Sequence, residues 1–268
     1  MDIREEILRN VQSRQVTASI IAEEDGIIAG AASAKREAQK LGLTVLDVMT
    51  DGSHVKRGDG VITFRGTPKQ IMLAEEVSIG LLAKASGIAT NAYKFVKKTG
   101  GTPKVVCGAW KKMPPSLKEM IRDAVSVGGA SPRIVPERFA YLDKNYIEVL
   151  GGIRESLAAV AHLDDCSKVV QVKGRYGDIV SEACEAVESG SDIVFIDTGD
   201  PEDVRRVVEK LVRLGLRKKV KLAFGGGVNM DDIDRLKALD IDILDIGRPI
   251  VDAPILDMRM EVIDVRAA

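Results

Sequence analysis

Two glycine turns follow apolar segments late in the chain and could bind a phosphate group. LAFGGGV contains Gly225, Gly226 and Gly227, and DIGRP contains Gly247 and Arg248. Because glycine has no Cβ, its backbone N–H can approach a phosphate oxygen closely, and the N-terminus of a following helix adds a favourable dipole. Arg248 could add a charge-assisted contact. One such turn alone would be explained by backbone geometry, but two in this position favour phosphate binding.

An acidic residue and a pair of basic residues end other apolar segments in the same part of the chain. Asp197 closes DIVFID, and Lys111 and Lys112 follow KVVCGAW. The carboxylate could accept hydrogen bonds from ribose hydroxyls or bind Mg²⁺, which prefers oxygen ligands, or it could only begin a helix. On a binding face the two lysines would attract a polyanion such as a diphosphate; elsewhere they would be an ordinary solvated pair.

Three more cations are candidate contacts for an anionic substrate, namely Arg133, Lys144 and Lys173. Each is a single charge near the end of a segment. The chain has 2 histidines and 3 cysteines. The cysteines lack C-x-x-C spacing, so neither a cysteine zinc site nor a disulfide framework is indicated, and a reducing compartment is the natural setting.

The elements that must position these residues alternate between strand and helix patterns. From residue 103 onward, six or seven apolar strand-like segments are each followed by an amphipathic helical segment. This alternation predicts parallel strands joined by crossover helices. An open doubly wound sheet and a closed barrel both fit, but no G-x-G-x-x-G opens a helix. We predict a barrel short of the usual eight strands, with its functional residues at the carboxyl ends of the strands.

The sequence pattern of residues 1–102 predicts a separate domain. It is made of short strands around a helix, followed by a long helical region from Pro68 to Lys98. The cluster TGGTP marks a boundary, because glycine and proline interrupt regular structure. The barrel is then expected over residues 103–251. In residues 252–268, ILDMRMEVID alternates like an antiparallel strand and is expected to return to the first domain.

The composition limits the partners of the chain. Its 268 residues include 39 Lys plus Arg and 40 Asp plus Glu, which give a net charge of -1, and aromatic residues make up 4%. This balance argues against a nucleic-acid-binding surface and a base-stacking platform. No apolar run approaches the ~20 residues that a membrane span needs, and the charged first residues do not resemble a signal peptide. We expect a cytoplasmic protein that acts on small molecules.

Several strings in one order resemble the quinolinate phosphoribosyltransferase family, also called the carboxylating nicotinate-nucleotide pyrophosphorylases. The resemblance extends from about Thr17 to the C-terminus and includes SGIAT at residues 86–90. The strings are IIAEEDGIIAG, HVKRGDGVITFRG, AEEVSIGLLAKASGIAT, AVSVGGASPR, LDKNYIEVLGGI, SGSDIVFIDT, LAFGGGV and DIGRPIVDAPILDM.

The resemblance implies a two-domain α/β fold: an N-terminal mixed α/β sandwich domain and an incomplete (β/α) barrel of the type II phosphoribosyltransferase kind. It implies a homodimer in which the first domain of one subunit covers the barrel of the other. It also implies transfer of phosphoribose from phosphoribosyl pyrophosphate (PRPP) to quinolinate, with Mg²⁺, giving nicotinate mononucleotide, CO₂ and pyrophosphate.

Part of the family's site is similar in this sequence. Lys112 and Lys111 fall on the lysine and arginine of a strand-end Arg-Lys-Thr motif, and Asp197 falls on a strand-end aspartate. The resemblance therefore implies that Lys112 and Asp197 are catalytic, with Asp197 also a metal ligand. The glycine turns, with Gly225, Gly226 and Gly247, fall on the phosphate-binding turns.

The part that binds the acceptor differs from the family pattern. Glu76 stands where the long helix of the family has arginine, Asp143 where it has lysine, and Lys173 where it has an acidic residue, while Pro132-Arg133 replaces His-Arg. Replacing cations that face the two carboxylates of quinolinate predicts an altered acceptor. Two alternatives remain, namely a divergent member with another acceptor, as in the branch linked to molybdenum-transport operons, and a non-catalytic phosphate-binding homologue. A barrel enzyme acting on another sugar phosphate is disfavoured by the family-like first domain.

Overall fold

The computed structural model describes residues 2–267; residues 1 and 268, the outer ends of the predicted first and last segments, lie outside that range. The strands are β1 (Gln15–Ala22), β2 (Gly26–Ile27), β3 (Thr44–Val48), β4 (His54–Val55), β5 (Gly60–Gly66), β6 (Lys104–Val106), β7 (Phe139–Leu142), β8 (Ser167–Val172), β9 (Ile193–Ile196), β10 (Lys221–Phe224), β11 (Ile243–Asp245) and β12 (Met258–Arg266). The α-helices are α1 (Ile3–Ile7), α2 (Ala31–Lys40), α3 (Pro68–Thr99), α4 (Lys118–Val127), α5 (Lys144–Leu150), α6 (Ile153–Val160), α7 (Ile179–Glu188), α8 (Pro201–Arg213), α9 (Ile233–Lys237) and α10 (Arg248–Val251).

Contacts divide the described chain into two compact units. The first contains residues 2–93, 113–129 and 250–267, and the second contains residues 94–112 and 130–249. No helix within residues 2–267 is both long enough and apolar enough to cross a membrane.

The first unit is built on an antiparallel sheet with the strand order β12-β1-β5-β3. β12 pairs along the whole of β1, from Gln15 opposite Arg266 to Ala22 opposite Met258. The C-terminal segment is therefore part of this sheet. α2 packs against the sheet through Ala31, Ala34 and Ala38, whose spacing of three and four residues places them on one face of the helix.

The string SGIAT lies in the middle of α3 and binds the segment that begins with β2. The Ser86 hydroxyl accepts a hydrogen bond from the Ala29 N–H at 3.0 Å, and the Thr90 hydroxyl accepts one from the Ile27 N–H at 2.9 Å. Residues four apart lie on the same face of a helix, so both hydroxyls point the same way. β2 is only two residues long, so these two N–H groups have no acceptor in a strand ladder, and the hydroxyls satisfy them instead.

The second unit is a parallel sheet with the strand order β6-β11-β10-β9-β8-β7. Its interior is apolar and includes Val169, Ile193, Phe195 and Ala223. Ser131 adds a single parallel bridge to Val106 beside the β6 edge. Within residues 2–267 no ladder joins β6 directly to β7, so this is the incomplete barrel that the sequence predicts.

The grouping by contacts differs from the predicted domain boundaries in three places. Residues 94–102 belong to the second unit, whereas residues 113–129, which include α4, and residues 250–251 belong to the first. α4 groups with the first unit because it packs closely on α3. A Cβ at Gly128 would lie 2.4 Å from the Ala89 carbonyl oxygen. Amphipathic periodicity predicted α4, but periodicity does not say which neighbour covers its apolar face.

Candidate functional site

The candidate site lies at one edge of the second unit. Because its strands are parallel, the residues that follow them emerge at the same edge of the sheet. Nearly all of the residues selected from the sequence follow a strand in this way: Lys111 and Lys112 after β6, Lys144 after β7, Lys173 after β8, Asp197 after β9, Gly225, Gly226 and Gly227 after β10, and Gly247 and Arg248 after β11.

The glycine turn after β10 packs backbone to backbone against the loop after β9. The Gly199 N–H donates to the Gly225 carbonyl at 3.0 Å. Gly226 has φ +105°, and a Cβ there would lie 2.6 Å from the Gly199 nitrogen. Both the positive φ and the close approach therefore require glycine.

This turn exposes backbone donors. Gly226 and Gly227 are exposed, and across residues 2–267 their N–H groups donate to no protein atom. Adjacent N–H groups that point outward from a glycine turn form an anion-binding concavity. The geometry therefore suits a phosphate group, and phosphate binding at this turn stays a prediction. Gly247, in the other predicted phosphate turn, packs closely against Ala109. A Cβ at Gly247 would lie 3.3 Å from the Ala109 Cβ.

Asp197 is bonded to two side chains, one from the neighbouring strand β8 and one from the residue that follows it. Its Oδ2 accepts a hydrogen bond from Gln171 Nε2 at 2.5 Å and pairs with Lys173 Nζ at 2.6 Å. Lys173 Nζ also donates to the Asp197 carbonyl oxygen at 2.8 Å. Lys173 and Asp197, which the sequence analysis selected separately, therefore form one ion pair. The Gln171 side chain also lies 3.4 Å from the Lys144 N–H, at the start of α5.

A buried glutamate that the sequence analysis did not select organises the loop carrying Lys173. Glu182 is 3% exposed. Its carboxylate accepts hydrogen bonds from the backbone N–H groups of Lys173 at 3.0 Å, Gly174 at 2.8 Å and Tyr176 at 2.6 Å. A buried carboxylate needs such donors, and each of them fixes part of the loop. The signal in the sequence is a glutamate on the apolar face of α7, four residues after the N-cap Asp178.

Asp245, the last residue of β11, is a second group that the sequence analysis missed. Its Oδ1 accepts the Gly108 N–H at 3.0 Å, which fixes the turn leading to Lys111 and Lys112. Burial raises the pKa of Asp245 and the charge of Asp197 adds to the rise, while the Gly108 N–H and the two lysines oppose it. An aspartate inside the apolar string DILDI is the signal that could have identified it.

Tyr141 of β7 lies among these charges. Lys111 Nζ is 5.6 Å from the centre of the Tyr141 ring. Burial raises the pKa of the Tyr141 phenol, and the charges of Asp245, Asp197 and Asp143 raise it further. The carboxylates at the ends of three different strands therefore act on one region of the barrel interior, which the sequence order alone does not reveal.

Replacing Asp245 with asparagine should change how stability depends on pH. Because its pKa is raised in the folded protein, the folded chain holds this proton more tightly than the unfolded chain. Wild-type stability should therefore fall as the pH rises from the ordinary carboxyl value of 3.8 through the raised pKa. Asparagine cannot ionise and keeps an oxygen for the Gly108 N–H. Urea unfolding at several pH values should show Asp245→Asn gaining stability over wild type as the pH rises.

The control is Asp164→Asn, at an exposed position. It should leave the pH profile of unfolding unchanged. If wild type and Asp245→Asn had parallel profiles from acidic to neutral pH, the raised pKa of Asp245 would be refuted.

One predicted site residue of the second unit, Arg133, is not brought to the group at the strand ends. The Arg133 guanidinium donates to the Glu137 carbonyl at 3.0 Å and stacks 5.1 Å from the centre of the Phe139 ring, at the amino end of β7. Glu76 lies in the first unit, on an exposed part of α3, and forms an ion pair with Arg4. Arg248 is exposed at the start of α10.

The described residues do not form a metal-binding cluster. Within residues 2–267 no group of three or more His, Cys, Asp or Glu side chains could hold a metal ion. The Asp197 carboxylate, the predicted metal ligand, is instead bonded to an ammonium and an amide. These residues therefore do not fit a resident Mg²⁺.

A cavity of about 890 Å³ lies near the amino ends of the strands, away from these residues. Its lining includes Ser167, Lys221 and Arg217. Arg217 pairs with Asp240 at 2.8 Å and Asp242 at 2.9 Å, so its charge is already balanced. The candidate site remains at the carboxyl ends.

Comparison with known proteins gives matches over nearly the whole chain. The family model for the N-terminal domain of quinolinate phosphoribosyl transferase matches residues 2–86, and that for the C-terminal domain matches residues 88–261. A probable carboxylating nicotinate-nucleotide pyrophosphorylase of Archaeoglobus fulgidus is 31% identical over 94% of this chain and 96% of its own length. The carboxylating nicotinate-nucleotide pyrophosphorylase of Homo sapiens is 26% identical, over 91% of this chain and 81% of its own length.

Solved structures give the same fold. The nicotinate-nucleotide pyrophosphorylase of Pyrococcus furiosus superposes with a TM-score of 0.85 at 20% identity, covering 98% of this chain and 73% of that one. The enzyme of the same name from Francisella tularensis gives a TM-score of 0.81 at 21% identity, covering 97% of this chain and 94% of that one. These likenesses confirm the predicted fold, a mixed α/β N-terminal domain followed by an incomplete barrel.

Proposed function

Because the chain belongs to the quinolinate phosphoribosyl transferase family, we propose that it transfers phosphoribose from PRPP to the ring nitrogen of quinolinate. The products are nicotinate mononucleotide, CO₂ and pyrophosphate. The observation that carries the proposal is the match of both family domains, with a relative 31% identical over 94% of the chain that is named for this activity. The named relatives favour this activity over a non-catalytic homologue.

The glycine turn is proposed to hold the 5′-phosphate of PRPP. The exposed N–H groups of Gly226 and Gly227 can donate to two phosphate oxygens without a side chain in between. Gly225 is buried beneath them, where a Cβ would lie 2.9 Å from the Phe195 ring. Gly247 and Arg248, on the loop after β11, are proposed to complete this phosphate-binding edge.

Lys111 and Lys112 are proposed to bind the pyrophosphate that leaves. Both side chains are exposed at the carboxyl end of β6, and both are close enough to Asp245 to affect its charge. In an oxocarbenium-like transition state, negative charge builds up on the departing pyrophosphate, and fixed cations stabilise that charge. The Gly108–Asp245 hydrogen bond holds the turn before the two lysines, so Asp245 is proposed as a positioning residue.

Asp197 is proposed to accept hydrogen bonds from the ribose hydroxyls. It lies one strand from the glycine turn, and the loops of the two are joined through Gly199. Mg²⁺ is proposed to arrive as the complex of PRPP with the metal, and therefore as part of the substrate. Lys144 is proposed to contact the acceptor on the basis of the resemblance alone. Arg133 and Glu76 stay predictions from the resemblance, because the Arg133 guanidinium lies at the amino end of β7 and Glu76 has the same charge as the carboxylates of quinolinate. We also propose a cytoplasmic homodimer.

The activity can be tested by ³¹P NMR of the protein with PRPP and Mg²⁺, with and without quinolinate. The proposal predicts pyrophosphate release that requires quinolinate. Broadened PRPP signals without such release would mean that PRPP binds but that the acceptor is another ring compound. If the spectra showed no pyrophosphate release and no broadening of the PRPP signals, phosphoribosyl transfer by this chain would be refuted.

The variant Gly226→Ala should weaken PRPP binding about tenfold or more, because it loses the positive φ that aims the two N–H groups. Its Cβ would also lie 2.6 Å from the Gly199 nitrogen and displace that loop. Isothermal titration with PRPP and Mg²⁺ measures the effect. Gly190→Ala is the matched control, because Gly190 has φ +93° but nothing within 4 Å of its Cβ position and lies outside the site. It should bind PRPP like wild type, and equal affinity of all three proteins would remove the turn from the phosphate site.

A further inference from the structure

The Asp197 carboxylate already has a cation, because Lys173 Nζ is 2.6 Å from its Oδ2 and 2.8 Å from its carbonyl oxygen. The same Oδ2 also accepts the Gln171 amide at 2.5 Å. A divalent ion at this oxygen would have to displace two donors, one of them positively charged. Coulomb repulsion between the ammonium and the ion would oppose its entry.

The ammonium is fixed in place by the loop that carries it. Glu182 accepts three backbone N–H groups of residues 173–176. At the far side of the same loop, the Tyr176 hydroxyl donates to Glu148 at 2.8 Å and to the Lys144 carbonyl at 3.2 Å. Lys173 directly follows β8, beside β9, so its side chain crosses one strand spacing to reach Asp197. Glu182 therefore holds the backbone that carries Lys173, and the ammonium makes two contacts with Asp197.

The surrounding charge shows what the ammonium balances. Asp143, Asp197 and Asp245 all act on the Tyr141 phenol. Within this set, Lys173 is bonded to Asp197, whereas Lys111 and Lys112 act on Asp245. Without Lys173, the region near Asp197 would carry uncompensated negative charge and would attract a hard cation.

We infer that Lys173 is the fixed counter-cation of Asp197, so that Asp197 serves the site as one half of an ion pair and not as a ligand of a divalent metal. The remaining lone pairs of Asp197 are then available to ligand hydroxyls. This inference rests on the proposed function for the identity of that ligand, the ribose of PRPP. The part that concerns the metal rests on the geometry alone.

The test is Mn²⁺ binding by the full-length protein without substrate, followed by the EPR signal of free Mn²⁺. Mn²⁺ stands in for Mg²⁺ because both prefer oxygen ligands. Wild type and Asp197→Asn should bind Mn²⁺ equally weakly. Lys173→Met should bind it about fivefold or more tightly than wild type. Adding Asp197→Asn to Lys173→Met should abolish that gain.

Lys168→Met is the matched control, since Lys168 lies near the opposite end of β8 and its Nζ is 3.4 Å from the Leu163 carbonyl. It should bind Mn²⁺ like wild type. The inference is overturned if wild type binds Mn²⁺ in a way that Asp197→Asn abolishes, or if Lys173→Met gains no affinity. Because no substrate is present, these results do not depend on whether the chain transfers phosphoribose.

Discussion

Asp197→Ala is expected to lower kcat/KM for PRPP about 100-fold or more while the protein stays folded. The carboxylate lies at the end of β9, and its loop is joined to the glycine turn by the Gly199–Gly225 hydrogen bond. Removing it deletes the proposed acceptor for the ribose hydroxyls and releases Lys173. Since both partners of this ion pair are partly exposed, the loss of stability should be about 1 kcal/mol or less. Quinolinate-dependent pyrophosphate release and urea unfolding measure the two effects separately.

The matched control is Asp200→Ala, three residues further along the same loop. Asp200 caps α8 by accepting the Glu202 N–H at 2.9 Å, so its removal should lower stability by about 1 kcal/mol. Activity should stay near the wild-type value, because Asp200 is outside the proposed site. Two variants with similar stability would then differ greatly in activity. If Asp197→Ala kept wild-type activity, Asp197 would have no place in the mechanism.

Gly87→Ala is expected to lower the free energy of unfolding by about 3 kcal/mol. A Cβ at Gly87 would lie 2.0 Å from the Pro254 carbonyl oxygen and 3.1 Å from the Ile255 Cα. Both are backbone atoms, so the clash cannot be relieved by turning a side chain. The Ser86 and Thr90 hydroxyls on either side of Gly87 hold the Ala29 and Ile27 N–H groups, and a shift of α3 would strain those bonds.

Gly80→Ala is the control in the same helix. Nothing lies within 4 Å of its Cβ position, and its φ is ordinary for a helix. It should raise stability by about 1 kcal/mol, because alanine has a higher helix propensity than glycine. Urea unfolding of the two variants should therefore move in opposite directions. If Gly87→Ala were as stable as wild type, the close approach of the C-terminal segment to α3 would be refuted.

The barrel could be predicted because its signal is repeated. Apolar strands alternating with amphipathic helices imply parallel strands, and parallel strands place their carboxyl ends at one edge. The sequence therefore grouped Lys111, Asp197 and Gly226 correctly at that edge, without any knowledge of side-chain contacts.

Features that depend on loop paths could not be predicted. Lys173 pairs with Asp197 because Glu182, on the next helix, holds the loop that carries Lys173. Arg133 points away from the strand-end group because its guanidinium is held by the Glu137 carbonyl and the Phe139 ring. Local pattern gives the position of a residue along a strand, but the direction of its side chain after the strand depends on contacts with residues distant in sequence.

Asp143 has two explanations, and the structure is needed to choose between them. It stands at a family lysine position, which suggests an altered acceptor site. In the structure its carboxylate caps α5 by accepting the Asn145 N–H at 2.9 Å and the Tyr146 N–H at 3.2 Å. Its negative charge is therefore partly satisfied by backbone donors, which weakens the predicted repulsion of an anionic acceptor.

The most direct measurement of the proposed activity uses quinolinate labelled with ¹³C in its 2-carboxyl group, together with PRPP and Mg²⁺. Forming nicotinate mononucleotide keeps the 3-carboxyl group and loses the 2-carboxyl group, so the label should leave as CO₂. The proposed activity is expected to give labelled CO₂, pyrophosphate and unlabelled nicotinate mononucleotide in equal amounts by mass spectrometry. Consumption of PRPP without labelled CO₂, or no consumption at all, would contradict it.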